Sequence, residues 1–258
     1  MKKLAFIFAL FFSFCSFAQD DLFLTFELMK VSNEQENAYA ETENFWEKIH
    51  QQRVQSGEII GWDLWSLQPS GEDQSFQYMT VTLYKSAKAM FDAGGNFMET
   101  VKKAYPNMSE DELNKKFNST AKSRSLAVRI FLHQVAKTND SFDMPVGTIA
   151  FVNYMNANDA GAYEKAETEV FQPMHQKEID NGTRAHWTLL RFMLPYGSEA
   201  YATHIAVDMY KDLDQVTASR SQGGMDNLTE AQQKAIMDGL ATRDMKWVSM
   251  ARLIKKVR

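Results

Sequence analysis

Cysteine occurs once in the 258 residues, at Cys15. It closes an apolar run, Leu4 to Phe14, that follows Lys2 and Lys3. A basic start, a short apolar stretch and small residues at Ser16 and Ala18 are the layout of an export leader. The run is too short to cross a bilayer, and no other stretch approaches its length, so no membrane span is expected. Cleavage between Ala18 and Gln19 leaves a mature chain with no cysteine. Disulfides and thiol catalysis are thereby excluded from it. A lipid anchor on Cys15 would need a small residue before it, and Phe14 stands there. The protein is expected to be exported, either periplasmic or secreted.

Basic charge is also scarce. Lys and Arg number 28 against 33 Asp and Glu, a net charge of −5, and loss of Lys2 and Lys3 deepens it by two. No basic cluster overrides that average, so a nucleic-acid surface is not expected. The sequence lacks a P-loop, a dinucleotide fingerprint, a serine nucleophile elbow and a His-Glu-x-x-His helix. What remains after the leader is still long enough to bury a core without covalent staples.

What the chain does contain is a repeat. His50, Gly57 and Trp62 recur as His175, Gly182 and Trp187 with unchanged spacing. Each His lies four residues after an aromatic, Trp46 or Phe171, and so shares a helical face with it. Hydrophobic periodicity supplies the elements around these markers. A strand at Leu22–Met29 leads to a helix over Asn33–Ser56, capped by Ser32 or Asn33 and stopped by Gly57. Strands follow at Glu58–Leu67 and Phe76–Tyr84, then short helices over Ala87–Asp92, Phe97–Ala104 and Ser109–Ala121. Ser109 with Glu112 forms a capping-box pattern. Leu126–Val135 closes the unit as a strand. The second unit has strand Thr148–Met155, helix Asp159–Asp180, strands Arg184–Leu194 and Tyr201–Tyr210, helices Asp212–Ser219 and Thr229–Arg243, and strand Met245–Lys255. Pro173 predicts a kink or break just before it in the long helix. The expected layout is a leader over 1–18, a first repeat over 19–136, a linker over 137–147 and a second repeat over 148–258.

Each unit is β-α-β-β-α-β, the order of a ferredoxin-like four-stranded antiparallel sheet with helices on one face. The class is α+β. Two such sheets cover their open faces most compactly by turning them toward each other. In topology, in the repeated aromatic-His-Gly-Trp pattern, and in the strand ends Val81-Thr82-Leu83-Tyr84 and Val207-Asp208-Met209-Tyr210, the chain resembles the dimeric α/β-barrel superfamily. Here it is fused in tandem so that the dimer is internal. The resemblance implies a monomer and a fold shared by cofactor-free monooxygenases, haem enzymes and stress-response proteins. It implies no particular activity.

Strand alternation points to a site. Ile60, Trp62 and Leu64, with Ala185, Trp187 and Leu189, are expected under the helices. So are Met79, Val81 and Leu83, with Ile205, Val207 and Met209. The opposite parity carries Asp63, Trp65, Tyr78, Thr80 and Thr82 in the first repeat. In the second it carries Arg184, His186, Thr188, His204, Asp208 and Tyr210, and Glu27, Arg129, His133 and Asn153 are expected to share this face. A polar and aromatic face between two sheets is a ligand-site candidate. From it we take Asp63, Trp65, Tyr78, Arg184, His186, Thr188, His204, Asp208 and Tyr210 as the candidate binding set, weighted toward the second repeat. The competing reading is a closed polar network across the interface, for example Asp63 with Arg184. His186, His204 and Asp208 could make a two-His, one-carboxylate metal set, or one His could act as a general base. The sequence requires no cofactor, and the resemblance leaves haem or metal open. His50, His175, Trp62 and Trp187 are read as structural markers, with Glu43 and Glu169 placed to orient the imidazoles. The functional expectation is an exported small-molecule binder. The alternatives are an oxygenase-like or haem-linked enzyme and a module that recognises another envelope protein.

Overall fold

The computed structural model describes residues 21–71, 74–221 and 228–258; the leader expectation falls outside them. Eight strands form one closed barrel in the order β1-β3-β2-β8-β5-β7-β6-β4, every pair antiparallel. They are β1 (Phe23–Lys30), β2 (Gly61–Gln68), β3 (Tyr78–Tyr84) and β4 (Ser125–Lys137) in the first repeat, and β5 (Ile149–Ala157), β6 (His186–Leu194), β7 (His204–Tyr210) and β8 (Arg243–Val257) in the second. Each repeat contributes a contiguous half of the ring. The halves join where β2 pairs with β8 and β4 with β6.

Alternation then divides the side chains between two environments. One set fills the barrel: Leu24, Phe26 and Leu28 from β1 meet Trp65, Met79, Val81, Ile130, Val152, Leu190, Val207 and Leu253 from the other strands. The other set packs outward under helices. Trp62, Leu64 and Tyr84 lie against Tyr39 of α1 (Glu36–Gln55). Trp187, Leu189 and Ala206 lie against Tyr163 of α5 (Ala160–Ala166). In the first repeat the outer layer continues through α2 (Ala87–Phe91), α3 (Phe97–Ala104) and α4 (Glu110–Ser123). Phe45 and Ile49 of α1 meet Val101 and Leu113 there.

Local signals explain most boundaries. Ser109 and Glu112 form the expected capping box at α4. Gly57 and Gly182 end their helices with φ of +72° and +78°, where a Cβ would be strained. Neither Ser32 nor Asn33 caps the first helix through its side chain; a short 3-10 turn over Asn33–Gln35 begins it instead. The long second-repeat helix is interrupted just before Pro173, though not broken there. It widens into a π turn over Glu167–Phe171 and continues as α6 (Gln172–Asp180). Helices α7 (Leu213–Ser221) and α8 (Glu230–Leu240) complete the outer layer.

The π turn has a cause in the spacing. In α1 the sequence runs Tyr39, Glu43, Trp46, His50; its counterpart runs Tyr163, Glu167, Phe171, His175. The second copy holds one more residue between the Glu and the aromatic. A single widened turn absorbs it, so both pairs keep the faces they have in α1.

Candidate functional site

The candidate binding set does not lie on one face. Asp63, Trp65, His186 and Thr188 line a cavity inside the barrel. Tyr78, Arg184, His204, Asp208 and Tyr210 point the other way, toward the helices, and so do Glu27, Arg129 and Asn153. The reason is register. Directly opposed residues in an antiparallel pair share a face, and Asp63 opposes Val81 while Trp62 opposes Thr82. Thus Met79, Val81, Leu83, Ile205, Val207 and Met209 face the barrel interior rather than the helices. The expectation for β3 and β7 was one residue out of phase with β2 and β6, and a one-residue slip inverts a whole strand.

On the helix side of the second repeat the polar residues satisfy each other. Arg184 is paired with Asp208, donates from Nε to Glu178 Oε2 at 2.6 Å, and lies 5.4 Å from the Tyr210 ring. Asn153 Nδ2 donates to Asp208 Oδ2 at 2.9 Å. His204 is held by Glu164 Oε1 and Thr203 Oγ1, each at 2.9 Å. His186 is on the other face of the sheet, 2.8 Å from Asp140 Oδ2. His186 and His204 therefore cannot join Asp208 around one ion. No cluster of three or more His, Cys, Asp or Glu suited to a metal occurs among the described residues. Asp63 pairs with Arg258, not Arg184.

The first repeat differs. Between α1, α2 and α4 and the outer face of β1, β3 and β4 lies a cavity of about 550 Å3. Its aromatic walls are Trp46, Trp62, Phe91 and Phe131, and its polar walls include Glu43, His50, Arg53 and Arg124. Glu43 is fully buried and paired with Arg124, which also stacks over Tyr39 and Trp46. The hydroxyl of Tyr39, one turn earlier, also serves the Glu43 carboxylate, while the indole Nε1 of Trp46 is buried without a partner. Burial raises the Glu43 pKa above the usual carboxylate value, while Arg124 opposes the rise.

His50 stacks on Trp62 at 4.7 Å and on Trp46 at 5.9 Å. Its pKa lies well below the ordinary value, first because of burial and then because Arg53 and Arg124 are cationic. The imidazole is neutral at pH 7. Arg53 Nη1 stands 3.2 Å from His50 Nδ1, and a guanidinium only donates. We assign the Nε2–H tautomer from this contact. Nε2–H is then a donor, which argues against His50 as a haem or metal ligand: a ligating imidazole turns its bare nitrogen to the metal and gives its N–H to an acceptor. The residues here do not fit such a group. His175, the repeat counterpart, lies 5.2 Å from Trp187 and 3.5 Å from Glu178 through Nδ1.

Glu43 and Arg124 also have counterparts. Glu167 is buried and faces Arg243 at 3.6 Å, and Arg243 lies over Tyr163 and Phe171. Glu169, expected to orient the imidazole of His175, is exposed on the outside of the π turn. The volume that is open beside Trp46 is occupied beside Phe171. There α8 approaches so closely that a Cβ on Gly239 would sit 2.9 Å from the ring. Arg124 escaped the sequence reading. The signal that could have found it was the pair Tyr39-x-x-x-Glu43 and Tyr163-x-x-x-Glu167, once the extra residue is allowed for.

No protein-family model matches the chain, and no curated protein does. Solved structures do. A monooxygenase-like protein from Lactobacillus acidophilus matches with a TM-score of 0.56 and 11% identity, covering 93% of this chain and 96% of the other. An anthrone oxidase-like protein matches at 0.51 and 12%, covering 93% of each. A chlorite dismutase-like protein matches at 0.50 and 8%, covering 91% and 95%. At such identities the shared property is the fold, and by that fold the chain is a dimeric α/β barrel with both halves on one polypeptide.

Proposed function

We propose that this protein is exported and binds a small, partly aromatic molecule carrying a hydroxyl or enol group in the helix–sheet cavity of the first repeat. One observation carries the reading: an unpartnered donor, Trp46 Nε1, is buried on the wall of a cavity that also holds the Glu43 carboxylate. Buried polar atoms without partners are rare in folded proteins and call for an explanation. A hydroxyl that donates to Glu43 and accepts from both Trp46 and His50 meets all three groups. The rings of Trp46 and Trp62 offer faces to a planar body. The test is a titration with 1-naphthol followed by tryptophan fluorescence. Saturable binding is expected, weakened roughly 2- to 13-fold by Trp46→Phe, the range that follows from one lost neutral hydrogen bond. Equal affinity in Trp46→Phe and Glu43→Gln would remove the cavity from consideration.

A second reading, an oxygenase-like enzyme, is favoured by the raised pKa of Glu43. A carboxylate tuned upward by burial is a suitable general base. In that case Glu43 takes a proton from an acidic C–H or O–H of the substrate. The donors of Trp46 and His50 stabilise the resulting oxyanion, and dioxygen is the oxidant. The fold shared with the monooxygenase-like and anthrone oxidase-like proteins supports testing anthrone itself. Oxygen uptake that Glu43→Gln abolishes, with binding retained, would select the enzyme; binding without uptake would select the binder. Export is tested by the mass of the protein recovered from its own cells: a chain beginning at Gln19 is expected, and an intact Met1 contradicts it.

A further inference from the structure

We propose that the barrel interior is a second binding site, on the opposite side of the sheet from the first, for an uncharged, mostly apolar molecule with one hydrogen-bond-accepting oxygen. A cavity of about 370 Å3 opens at the end of the barrel where β2, β6 and β8 meet the segment over Asp140–Met144. That volume falls at the lower end of the range for small-molecule pockets. Its inner walls are apolar and come from both repeats, among them Phe26, Val81, Val152, Leu190 and Val207.

The charge of the ligand follows from its neighbours. Asp63 is clamped by Arg258, Nη1 to Oδ1 at 2.8 Å and Nη2 to Oδ2 at 2.9 Å. Lys256 is paired with Asp143, and His186 with Asp140, each at 2.8 Å. Lys137 is exposed to water. Among the uncharged polar groups, Gln134 Nε2 donates to Thr188 Oγ1 at 2.9 Å. A charged group placed among the buried walls would have to break one of these pairs or stay without one, which is costly either way, because the unpaired cation, Lys137, stands out in water. One group is left over. Trp65 lines the cavity and is 3% exposed, and its indole Nε1 is buried with no partner. An indole N–H can only donate, so the missing partner is an acceptor. Apolar walls, no unpaired charge among the buried groups and one spare donor together specify a neutral molecule such as an aliphatic ketone.

The experiment is a titration of the wild-type protein with 2-octanone, reading the five tryptophan indole N–H resonances by nitrogen-15 NMR. The Trp65 resonance is expected to move and saturate. Octanoate, matched in length but charged, is expected to bind at least about tenfold more weakly, and Trp65→Phe to weaken 2-octanone by roughly 2- to 13-fold. If Trp65→Phe does not fold, Ala150→Met, which adds volume to the cavity wall, is expected to abolish the shift in the Trp65 resonance. The proposal is overturned if the Trp65 resonance stays still, or if octanoate binds as tightly. It is overturned as well if the Trp46 resonance moves instead, since the ketone would then occupy the helix–sheet cavity. A negative result here leaves the 1-naphthol reading intact, and the converse also holds, because different tryptophans report the two cavities.

Discussion

Glu43 is held at a cost that Arg124 offsets most, with the Tyr39 hydroxyl second. Removing the cation while keeping the carboxylate, as in Arg124→Met, strands a charge in a dry site, and such changes cost about 3–5 kcal/mol. Chemical denaturation should register that loss, and Glu43→Gln combined with Arg124→Met should recover much of it. An additive double mutant would mean the two groups are not coupled. His50 gives a pH prediction. Its folded pKa is depressed and its unfolded value is about 6.5. Below about pH 6.5 the unfolded chain takes up a proton that the folded chain refuses, so stability falls with acidification until the folded pKa is reached. His204 is depressed for the same first reason, burial, and adds in the same direction. Melting temperature between pH 7.5 and 5.5 should therefore fall less steeply in His50→Gln than in the wild type. Equal slopes would show that His50 titrates normally. Glu43 has the opposite sign: its raised folded pKa favours the native state at low pH, and that benefit fades as pH rises through the folded value.

Among the elements, the π turn and α8 set the two repeats apart. The extra residue in Glu167–Phe171 keeps Phe171 on the cavity side, and the close approach of α8 at Gly239 then fills the space. Glycine in a helix interior costs about 1 kcal/mol relative to alanine. Gly239→Ala should nevertheless destabilise, because overpacking against Phe171 costs about 1–3 kcal/mol. A net loss of about 1 kcal/mol in urea unfolding is expected, and a net gain would mean that the ring moves aside freely. Helices and strands were readable to within a few residues because their apolar periods are local. Strand parity was readable in β2 and β6, where Trp62 and Trp187 mark the helix side. It was misread in β3 and β7. In each of those strands one face is wholly apolar, Met79, Val81 and Leu83 or Ile205, Val207 and Met209, but an apolar row suits the barrel interior as well as the helix layer, and only the pairings of Asp63 with Val81 and of Thr188 with Val207 fix which it meets.

At the scale of the whole molecule, the closed ring leaves no strand edge for another chain. On that ground we propose a monomer, for which sedimentation at several concentrations should give one species of unchanged mass. Expressed apart, residues 21–136 and 148–258 would each expose two strand edges and one apolar barrel face. Each is expected to self-associate alone and to re-form the barrel when mixed. Two soluble monomeric halves that ignore one another would contradict this account of the interior.

The sequence by itself determined the duplication, the β-α-β-β-α-β order and the helix-side anchors, because spacing along a chain dictates which residues share a helix or strand face. The tertiary structure decided which polar groups meet. Asp63 and Arg258 are 195 residues apart, and α4 lines an open cavity beside Trp46 where its counterpart α8 closes on Phe171. Such contacts depend on pairing register and helix docking, which no local pattern encodes.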